Sequence, residues 1–427
     1  SFGPFARPDG EFGVSFDGAG DYLSIANSSD WAFANGEFTI EAWVFIKPSG
    51  SVKQAIVGHW TNGSRGWQAR AEPSGSGYKL RWSWTTNGSE DSFLIGSIVA
   101  DFNTWNHVAF VRASDTVTLY VNGVAGGTVS GANIYTPNTT LVIGDWDQNA
   151  ADLNGVISNL RLVKGTAVYT GNFTPSTSKL TAITNTKLLT CQSNRFVDNS
   201  SNGHTITPTG TPAVTSFGPF LTSAVYSAAV NGASAYFDGS GDYLTTPSIS
   251  IGTGTFSFEC WVYPIGITDG GNDTIIRFAE GNTNTGIQIY ITNGDDLRIY
   301  KYKGGSAVIS TITSVFLPNE WIKLLFVRES NTLTTYVNGV SRGTMSVDEN
   351  LDGVVRLGSN GGSELLTGYM SGARLSDNAR QSGNYTVETA PFTTDSNTNF
   401  LLNMADGQAI DSAAQNNLTL FGNAKIS

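Results

Sequence analysis

Charged residues are scarce in this sequence, and basic residues are the scarcer kind. Asp, Glu, Lys and Arg make up 14% of the 427 residues, and 35 acidic against 24 basic residues give a formal net charge of −11. Nucleic acids and anionic lipid surfaces are bound through an excess of Lys and Arg. The composition therefore argues against nucleic acid and against membranes as partners.

Long apolar runs and a cysteine framework are also missing. No stretch approaches the roughly 18 apolar residues of a membrane-spanning helix, and the chain opens at Ser1 without the pattern of a secretory signal. The two cysteines are Cys191 and Cys260. Because Cys260 shares a predicted strand face with Phe256 and Phe258, we expect buried free thiols rather than a disulfide, which leaves the redox compartment open.

A twenty-residue stretch that occurs twice dominates what is present. Trp105–Val124 and Trp321–Val340 match at twelve of twenty positions without a gap. Each copy predicts two strands joined by a polar turn, then an Asn-Gly turn at Asn122 or Asn338. Asn-Gly favours the two successive positive φ angles of a tight hairpin. The stretch therefore predicts an antiparallel three-stranded meander in two copies.

The duplication extends over the whole chain. The same segments follow in the same order in both halves, with spacing differences that fall in loops. The sequence thus predicts two domains, 1–215 and 216–427. The further paired segments are Ser1–Phe5 and Ser216–Phe220 (SFGPF in both), Phe16–Leu23 and Phe237–Leu244, Phe38–Val44 and Phe256–Val262, Leu153–Leu162 and Leu366–Leu375, and Leu188–Gly210 and Leu401–Gly422.

The turn-rich composition predicts an all-β fold. The chain contains 49 glycines and no long Ala/Leu/Glu/Lys runs of the helical kind. Short strands with turn signals every eight to twelve residues or so are typical of sandwiches and jelly rolls. We therefore expect two tandem antiparallel β-sandwich (jelly-roll) domains. Because SFGPF begins each unit, a further copy is expected beyond Ser427, as in a longer array.

Five short motifs recur in both units in one order. They are FDGxGDYL, a strand ending in Glu-x-Trp-Val, Trp-x-x-x-x-Phe-Val-Arg, Tyr-Val-Asn-Gly-Val and Gly-x-x-x-x-x-Arg-Leu, the last being Gly155–Leu162 and Gly368–Leu375. Together they resemble the laminin-G-like branch of the concanavalin A-like lectin/glucanase jelly rolls. The resemblance covers nearly all of both units and implies that fold, often with a structural calcium ion at the sandwich rim.

A second resemblance concerns the end of each unit. Leu188–His204, followed by SFGPF, is similar to tandem arrays in structural proteins of marine tailed phages and in bacterial surface proteins. Such units usually place an Asp-x-Ser element before the FDG strand, whereas here it follows. The boundary is therefore either a circular permutation or a different frame. The resemblance implies an extracellular, cell-surface or virion location.

Catalytic residues are not found where this fold would supply them. Glucanases of this fold carry a Glu-x-Asp-x-x-Glu strand, since a retaining mechanism needs two carboxylates about 5–5.5 Å apart. No glutamate here has that spacing, and none of the three histidines, His59, His107 and His204, repeats in the second unit. We therefore expect a protein that is not an enzyme, with a glycoside hydrolase as a remote alternative.

Aspartates beside glycine-rich turns are the candidate calcium ligands. Carboxylates and backbone carbonyls of such turns suit Ca²⁺, but Asp and Gly also form turns without a metal, the Asp bonding its own backbone. Both interpretations stay open. The candidates are Asp17, Asp21, Asp238 and Asp242 in the FDGxGDYL turns, and Asp198 and Asp411 in the polar loops before the closing strands.

Tryptophans that differ between the units are the candidate ligand contacts. Trp60 and Trp146 are predicted in loops, and Trp146 lies between Asp145 and Asp147. An exposed indole stacks on a sugar ring, and carboxylates accept its hydroxyl hydrogens. Sequence drift or a domain contact would explain the same pattern. By contrast Trp67 and Trp82 align with isoleucines, which predicts core packing.

The duplicated polar residues are expected to support the scaffold. Glu41 and Glu259 lie beside tryptophans, and Arg112 and Arg328 end the first strand of each meander. A half-buried ion pair or backbone support explains their occurrence in both units, and a functional role is the alternative. The expected function is a structural or adhesive module whose rim loops bind a glycan or a cell-surface or virion protein. The alternative is a purely structural spacer that contacts neighbouring copies in a fibre or capsid.

Overall fold

The computed structural model describes residues 3–5, 12–50, 52–61, 63–89, 91–145, 151–220, 232–265, 271–280, 285–303, 306–361, 364–404, 419–422 and 425–426. The chain forms two compact units. The first unit is Asp9–Ser223, and the second unit is Ala224–Ser427 together with Ser1–Pro8. The predicted domains 1–215 and 216–427 differ from these units in where the two SFGPF segments belong.

The described part of the first unit is built from antiparallel strands and one short 3-10 helix, Ser29–Trp31. The strands are β1 (Gly13–Asp17), β2 (Tyr22–Ile25), β3 (Phe38–Ile46), β4 (Gln54–Thr61), β5 (Ser64–Ser74), β6 (Gly77–Thr85), β7 (Asp91–Asp101), β8 (Trp105–Ala113), β9 (Thr116–Val121), β10 (Val124–Ser130), β11 (Leu141–Ile143), β12 (Asn154–Lys164), β13 (Thr186–Thr190), β14 (Ile206–Thr209) and β15 (Ala213–Thr215).

Two sheets form a sandwich in this unit. The eight-stranded sheet has the order β10-β9-β8-β3-β12-β1-β15, with β13 also paired to β12. The seven-stranded sheet has the order β14-β2-β11-β4-β5-β6-β7. Neighbours in these sheets are mostly distant in sequence, as the jelly-roll prediction requires. The antiparallel sandwich fold is therefore confirmed.

An aromatic ladder fills the space between the two sheets. Phe38 of β3 stacks on Trp82 of β6 at 5.3 Å between ring centroids, and Trp82 stacks on Trp67 of β5 at 5.6 Å. Phe33 stacks on Phe38 at 4.5 Å and completes the ladder. Trp67 and Trp82 are fully buried, so their predicted core role is confirmed. Alternation along each strand turns the intervening residues outwards.

The described part of the second unit repeats this arrangement. Its strands are β16 (Ala235–Asp238), β17 (Tyr243–Ile249), β18 (Phe256–Pro264), β19 (Asn272–Glu280), β20 (Thr285–Thr292), β21 (Leu297–Lys303), β22 (Ser306–Ile312), β23 (Ile322–Glu329), β24 (Thr332–Val337), β25 (Val340–Ser346), β26 (Gly353–Leu357), β27 (Thr367–Ser376), β28 (Thr398–Leu402), β29 (Thr419–Phe421) and β30 (Lys425–Ile426).

The strand orders of the second unit match those of the first. One sheet runs β25-β24-β23-β18-β27-β16-β30, with β28 on β27, and the other runs β22-β21-β20-β19-β26-β17-β29. Its core contains Ile287 and Ile299 at the positions of the two buried tryptophans. Cys191 and Cys260 are both free and buried, one in each unit, which confirms the expected thiols.

The duplicated meander forms as predicted. Strands β8, β9 and β10 pair in sequence order, as do β23, β24 and β25. Asn122 and Gly123 have φ angles of 50° and 80°, and Asn338 and Gly339 have 48° and 81°. These successive positive values are those of a tight hairpin turn.

In the described residues no helix is long and apolar enough to pass through a membrane.

Candidate functional site

The predicted ligand residues do not all lie where the sequence placed them. Trp60 belongs to strand β4 rather than to a loop and is only 2% exposed. The expected loop position was wrong because β4 continues to Thr61 and pairs with β5 up to its end. Asp145 is buried directly after Gly144, which bonds β4 through Ile56 at 3.1 Å. Trp146 and Asp147 lie outside the described residues.

The FDGxGDYL aspartates organise their own turn. In the first unit Asp21 accepts hydrogen bonds from the backbone N–H of Asp17 at 3.0 Å and of Thr211 at 2.6 Å, one on each carboxylate oxygen. Asp17 accepts from the N–H of Ala19 at 2.7 Å. Burial, with the nearby Asp17 carboxylate adding to it, raises the pKa of Asp21. These are the contacts of a turn that bonds its own backbone.

The second unit forms the same turn. Asp242 accepts from the N–H of Asp238 at 3.1 Å, and Asp238 accepts from the N–H of Ser240 at 2.7 Å. Over the described residues, no three His, Cys, Asp or Glu side chains are placed to hold one metal ion. A calcium ion at these turns would have to rely on backbone carbonyls and water, so calcium stays a prediction.

The polar loop before the closing strand is organised by Asp198. Its carboxylate accepts from the N–H groups of Leu189, Ser200 and His204, each at 2.9–3.0 Å, and from the Ser200 hydroxyl at 2.9 Å. With these bonds its oxygens are engaged in shaping the loop. Its counterpart Asp411 lies outside the described residues.

Glu41 holds a buried polar network on the outward side of the eight-stranded sheet. It accepts hydrogen bonds from Arg161 Nε at 2.9 Å and from the Tyr169 hydroxyl at 2.7 Å, and it contacts His107 Nε2 at 3.2 Å. Burial alone would raise the pKa of Glu41. Hydrogen bonding with His107 and the charge of Arg161 outweigh burial, so the pKa lies below its ordinary value.

Glu259 repeats this network in the second unit. It accepts from Arg374 Nε at 2.8 Å and from Lys323, which replaces His107. Burial opposes ionisation here too, but the charges of Lys323 and Arg374 lower the pKa of Glu259 below its ordinary value. The predicted ion pair is therefore present in both units, but its glutamate is fully buried rather than half-buried.

The duplicated arginines support the backbone, as predicted. Arg328 donates to the carbonyls of Gly254, Glu349 and Gly252, each at 2.8 Å. Arg112 donates to the carbonyls of Ala34 and Ala132 and to Asp115 in the equivalent place. Each arginine ties together loops that have no strand partner, and buried carbonyls need such donors.

A polar cluster lies on the outward side of the seven-stranded sheet in the first unit. Arg70 of β5 and Arg81 of β6 are direct cross-strand partners, and both donate to Ser83 Oγ, at 3.0 and 3.1 Å. The Arg81 guanidinium lies 4.0 Å over the ring of Phe93, which is 54% exposed. Gln68 lies opposite Ser83 on the same face. We call Gln68, Arg70, Arg81, Ser83 and Phe93 the outer-face cluster.

Electrostatics and hydrogen bonding both leave this cluster suited to a ligand. Two like charges directly opposite on neighbouring strands destabilise a sheet, and Glu72 forms an ion pair with Arg81 at 3.1 Å. Burial, followed by the charge of Arg81, lowers the pKa of Arg70 to about 10, which still leaves it protonated at neutral pH. Gln68 is 1% exposed, and neither of its amide atoms has a hydrogen-bond partner in the described part of the chain.

The same face of the second unit has a different chemistry. Tyr290 pairs with Arg298 in the register of Arg70 and Arg81. Gln288 takes the position of Gln68, and it donates to Thr274 Oγ1 at 3.0 Å and to Glu364. Its amide is thus satisfied from within the unit.

On that face Tyr290 replaces Arg70 and Tyr300 replaces Ser83, whereas Arg298 keeps the place of Arg81. Tyr300 and Tyr302 lie 4.5 Å apart between centroids, and the Arg277 guanidinium lies 5.5 Å from the Tyr302 ring. Both units therefore combine arginine with aromatic rings here. The two faces differ in the first residue of the cross-strand pair, Arg70 or Tyr290, and in whether the glutamine amide has hydrogen-bond partners among the described residues.

Sequence reasoning missed the outer-face cluster. Its members are scattered over β5, β6 and β7, and only the pairing register brings Arg70 opposite Arg81. The alternation of polar and apolar residues along β5 could have indicated this face, because Gln68 and Arg70 alternate with the core residues Trp67, Ala69 and Ala71. Basic residues on the outward phase of a strand in an acidic chain mark such a face.

A laminin-G family model, described as the concanavalin A-like lectin/glucanases superfamily, matches residues 17–167 and 238–384. The two matches together cover more than half of the chain. Each match lies within one of the two units described above. The comparison with curated proteins gives no match.

Several solved structures are similar at low identity. Domains LG4-5 of the mouse laminin alpha1 chain are 11% identical, with 92% of this chain and 97% of that chain covered and a TM-score of 0.30. A Bacteroides ovatus protein provisionally named as carbohydrate-binding is 12% identical, with 99% and 94% covered and a TM-score of 0.37. A heptameric SAP-like pentraxin from Limulus polyphemus is 18% identical, with 38% and 80% covered and a TM-score of 0.30.

Proposed function

We propose that this chain, which belongs to the concanavalin A-like lectin/glucanases superfamily, is a glycan-binding or adhesive module without catalytic activity. The observation that carries the proposal is the outer-face cluster. It joins paired guanidinium groups, a buried amide without a partner in the described residues and an exposed aromatic ring. These are the groups that hold the charge, the hydroxyls and the apolar face of a sugar.

The charge of this face favours an acidic sugar, such as a uronate, a sialic acid or a sulfated residue. Arg70 and Arg81 lie within a chain whose formal net charge is −11, so the local positive charge is not a general property of the molecule. Planar guanidinium groups pair with carboxylate and sulfate in two parallel hydrogen bonds. An anion between the two arginines would also relieve their mutual repulsion.

The ring of Phe93 and the amide of Gln68 would hold the rest of the sugar. One face of the Phe93 ring is taken by Arg81, and the exposed remainder offers an apolar surface for stacking. Gln68 would gain hydrogen bonds from sugar hydroxyls that the described residues do not give it. Asp145, Trp146 and Asp147 remain a separate candidate contact, which rests on the sequence alone.

Support for a non-catalytic role comes from the buried glutamates. Glu41 and Glu259 are each engaged by a cationic partner, and their lowered pKa values keep them ionised. A general acid in a glycosidase needs a raised pKa. Neither glutamate has the properties of that acid.

The proposed setting is outside the cell, at a cell surface or on a virion, where glycans are exposed. The partner is then a glycan or a glycan-bearing surface protein. A structural role in an assembly is the second candidate. It is favoured by the two SFGPF segments, which pack against equivalent aromatic residues in both units.

The glycan proposal is tested with the full chain on arrays of acidic and neutral glycans. We expect binding to sugars that carry carboxylate or sulfate, weakened tenfold or more by Arg81→Met, because a hydrogen bond to a charged group contributes about 1.5–3 kcal/mol. Arg342→Met removes the same charge from an exposed site on β25 and serves as the matched control. Melting curves of all three proteins report whether they are folded.

Two results would count against the proposal. Equal binding by wild type and Arg81→Met would move the site elsewhere, and a parallel Trp146→Ala variant would then show whether the Asp145–Asp147 segment holds it. Absence of binding to every glycan at high protein concentration would favour the structural role over the glycan-binding role.

A further inference from the structure

The SFGPF segment of residues 216–220 covers a group of outward-facing aromatic rings in the first unit. Phe217 packs on Phe45 at 4.9 Å and on Trp105 at 5.2 Å between ring centroids. Phe220 packs edge to face on Trp43 at 5.4 Å and 81°. We call the ring group Trp43, Phe45 and Trp105 the first seat. It is covered by the chain that follows directly from strand β15.

The second unit has the same ring group. Its members, at the aligned positions of β18 and β23, are Trp261, Tyr263 and Trp321, which we call the second seat. Tyr263 and Trp321 lie 5.4 Å apart at 58°, and Phe45 and Trp105 lie 5.8 Å apart at 60°. The two seats are therefore built alike.

The occupant of the second seat comes from the other copy of the motif. Phe5 packs edge to face on Trp261 at 5.7 Å and 81°, the interplanar angle at which Phe220 meets Trp43. Phe5 is 5% exposed, and Gly3 and Pro4 are buried with it. Residues Ser1–Pro8 accordingly belong to the compact second unit. Phe5 of the first copy thus packs on Trp261 as Phe220 of the second copy packs on Trp43.

Connectivity differs between the two seats, although packing does not. The first seat is filled by the segment next to its own closing strand. The second seat receives Phe5, and the whole sequence of the first unit separates that residue from Ala224. A seat that accepts its peptide from a remote part of the chain recognises the peptide by its side chains rather than by its position in the sequence.

The chemistry of the peptide suits it to be such a ligand. Ser1–Phe5 carries no charged side chain, and its two phenylalanines are spaced three residues apart. Proline before the second phenylalanine fixes one backbone angle, so less conformational entropy is lost on binding. Aromatic rings that enter a desolvated aromatic seat are the usual anchors of a protein interface.

We propose that SFGPF is an exchangeable closing peptide, and that Ser1–Phe5 of one copy of this chain binds the second seat of another copy. The contacts within one chain and between two chains are then the same, as in domain swapping. Because the donor peptide and the accepting seat are different surfaces, the interface is head to tail and generates open linear assemblies. At low protein concentration the peptide of the same chain has the advantage, since its effective concentration is higher.

Complementation between two variants of the full chain tests the proposal. Phe5→Ala weakens the peptide and leaves its own second seat open, whereas Trp261→Ala removes the seat and leaves the peptide free. Each variant alone is expected to be monomeric in size-exclusion chromatography with light scattering. Mixed at equal concentration, they are expected to form a one-to-one complex.

A second measurement makes the test independent of the folding of Trp261→Ala. A synthetic peptide of residues 1–8 is expected to bind Phe5→Ala, to quench or shift its tryptophan fluorescence and to raise its melting temperature. The control peptide carries Phe2→Ala and Phe5→Ala and is expected to have no effect. If Phe5→Ala is folded by circular dichroism but neither binds the peptide nor pairs with the second variant, the exchange does not occur and the proposal fails.

Discussion

Arg161 donates its Nε hydrogen to the buried carboxylate of Glu41 at 2.9 Å, and Arg374 and Glu259 repeat the contact at 2.8 Å in the second unit. The duplicated pair joins β3 to β12 and β18 to β27, the strands at the centre of each eight-stranded sheet. Its third partner has changed from His107 to Lys323. The arginine–glutamate pair is thus the same in both units, whereas the third residue that contacts the carboxylate differs.

Glu41→Gln should destabilise the first unit by about 3–5 kcal/mol, because it leaves Arg161 buried without its counter-ion. Denaturant unfolding followed by circular dichroism measures the loss, and the transition of the second unit is an internal control. Glu37→Gln is a matched surface control, since the Glu37 side chain is exposed and its carboxylate accepts a 3.2 Å bond from the Ser114 N–H. A shift of less than 1 kcal/mol or so would mean that solvent reaches the pair.

His59 should make the first unit weaken in mild acid. Burial lowers the pKa of His59 from 6.5 to about 4, so between these values the unfolded chain binds a proton that the folded unit does not. The contribution of His59 to the free energy of unfolding is fully present above pH 6.5, and it falls by about 3 kcal/mol as the pH is lowered to 4. The second unit contains no histidine, so its transition lacks this contribution.

The measurement for His59 is the pH dependence of unfolding in wild type and in His59→Gln. Groups other than His59 titrate alike in both proteins, so the difference between the two curves isolates the histidine. We expect the wild-type curve to fall more steeply between pH 6.5 and 4. Parallel curves would contradict the assignment of a neutral, buried imidazole.

Gly123→Ala should cost more stability than Gly20→Ala, although both glycines have φ near 80°. A Cβ at Gly123 would lie 1.8 Å from the Phe173 carbonyl oxygen, whereas nothing lies within 4 Å of a Cβ at Gly20. The left-handed backbone alone costs about 1–2 kcal/mol, and overpacking adds about 1–3 kcal/mol. Chemical denaturation of the two variants measures the difference, and equal losses would show that the loop at Phe173 yields easily.

EGTA should leave the melting temperature of the full chain unchanged. Both carboxylate oxygens of Asp21 already accept backbone hydrogen bonds, from Asp17 and Thr211, so the turn needs no ion to hold it. A bound ion would stabilise the folded state by an amount that rises with the logarithm of its free concentration over the dissociation constant. A melting temperature that falls in EGTA and recovers with added Ca²⁺ would establish the calcium site predicted from the sequence.

Local signals predicted the strands and the hairpins. Asn122 and Gly123 set a tight turn through their own backbone preferences, and the alternation around Trp67 placed that residue in the core. The same reasoning wrongly placed Trp60 in a loop. Its neighbours in the sequence are typical of loops, but Trp60 pairs with strand β5. Strand ends depend on the neighbour that supplies hydrogen bonds, and that neighbour is not visible in a single segment.

The outer-face cluster shows the same limit for function. Arg70 and Arg81 are eleven residues apart, and nothing in either strand indicates that they face each other. The sequence predicted Asp145 and Trp146 as ligand contacts because these residues are adjacent in the chain. Cross-strand neighbours are set by register, and a shift of β6 by one residue would put Arg81 on the core side while Arg70 stayed outside.

The sequence by itself determined that this chain is a duplicated all-β scaffold, because repetition and strand alternation are properties of residue order. Only the tertiary structure decided which unit each SFGPF segment completes and which polar residues meet on the sheet face. Phe5 lies next to the first unit in sequence but packs on Trp261 of the second. Burial of aromatic rings depends on which surface is open in space, and distance along the chain does not specify that surface.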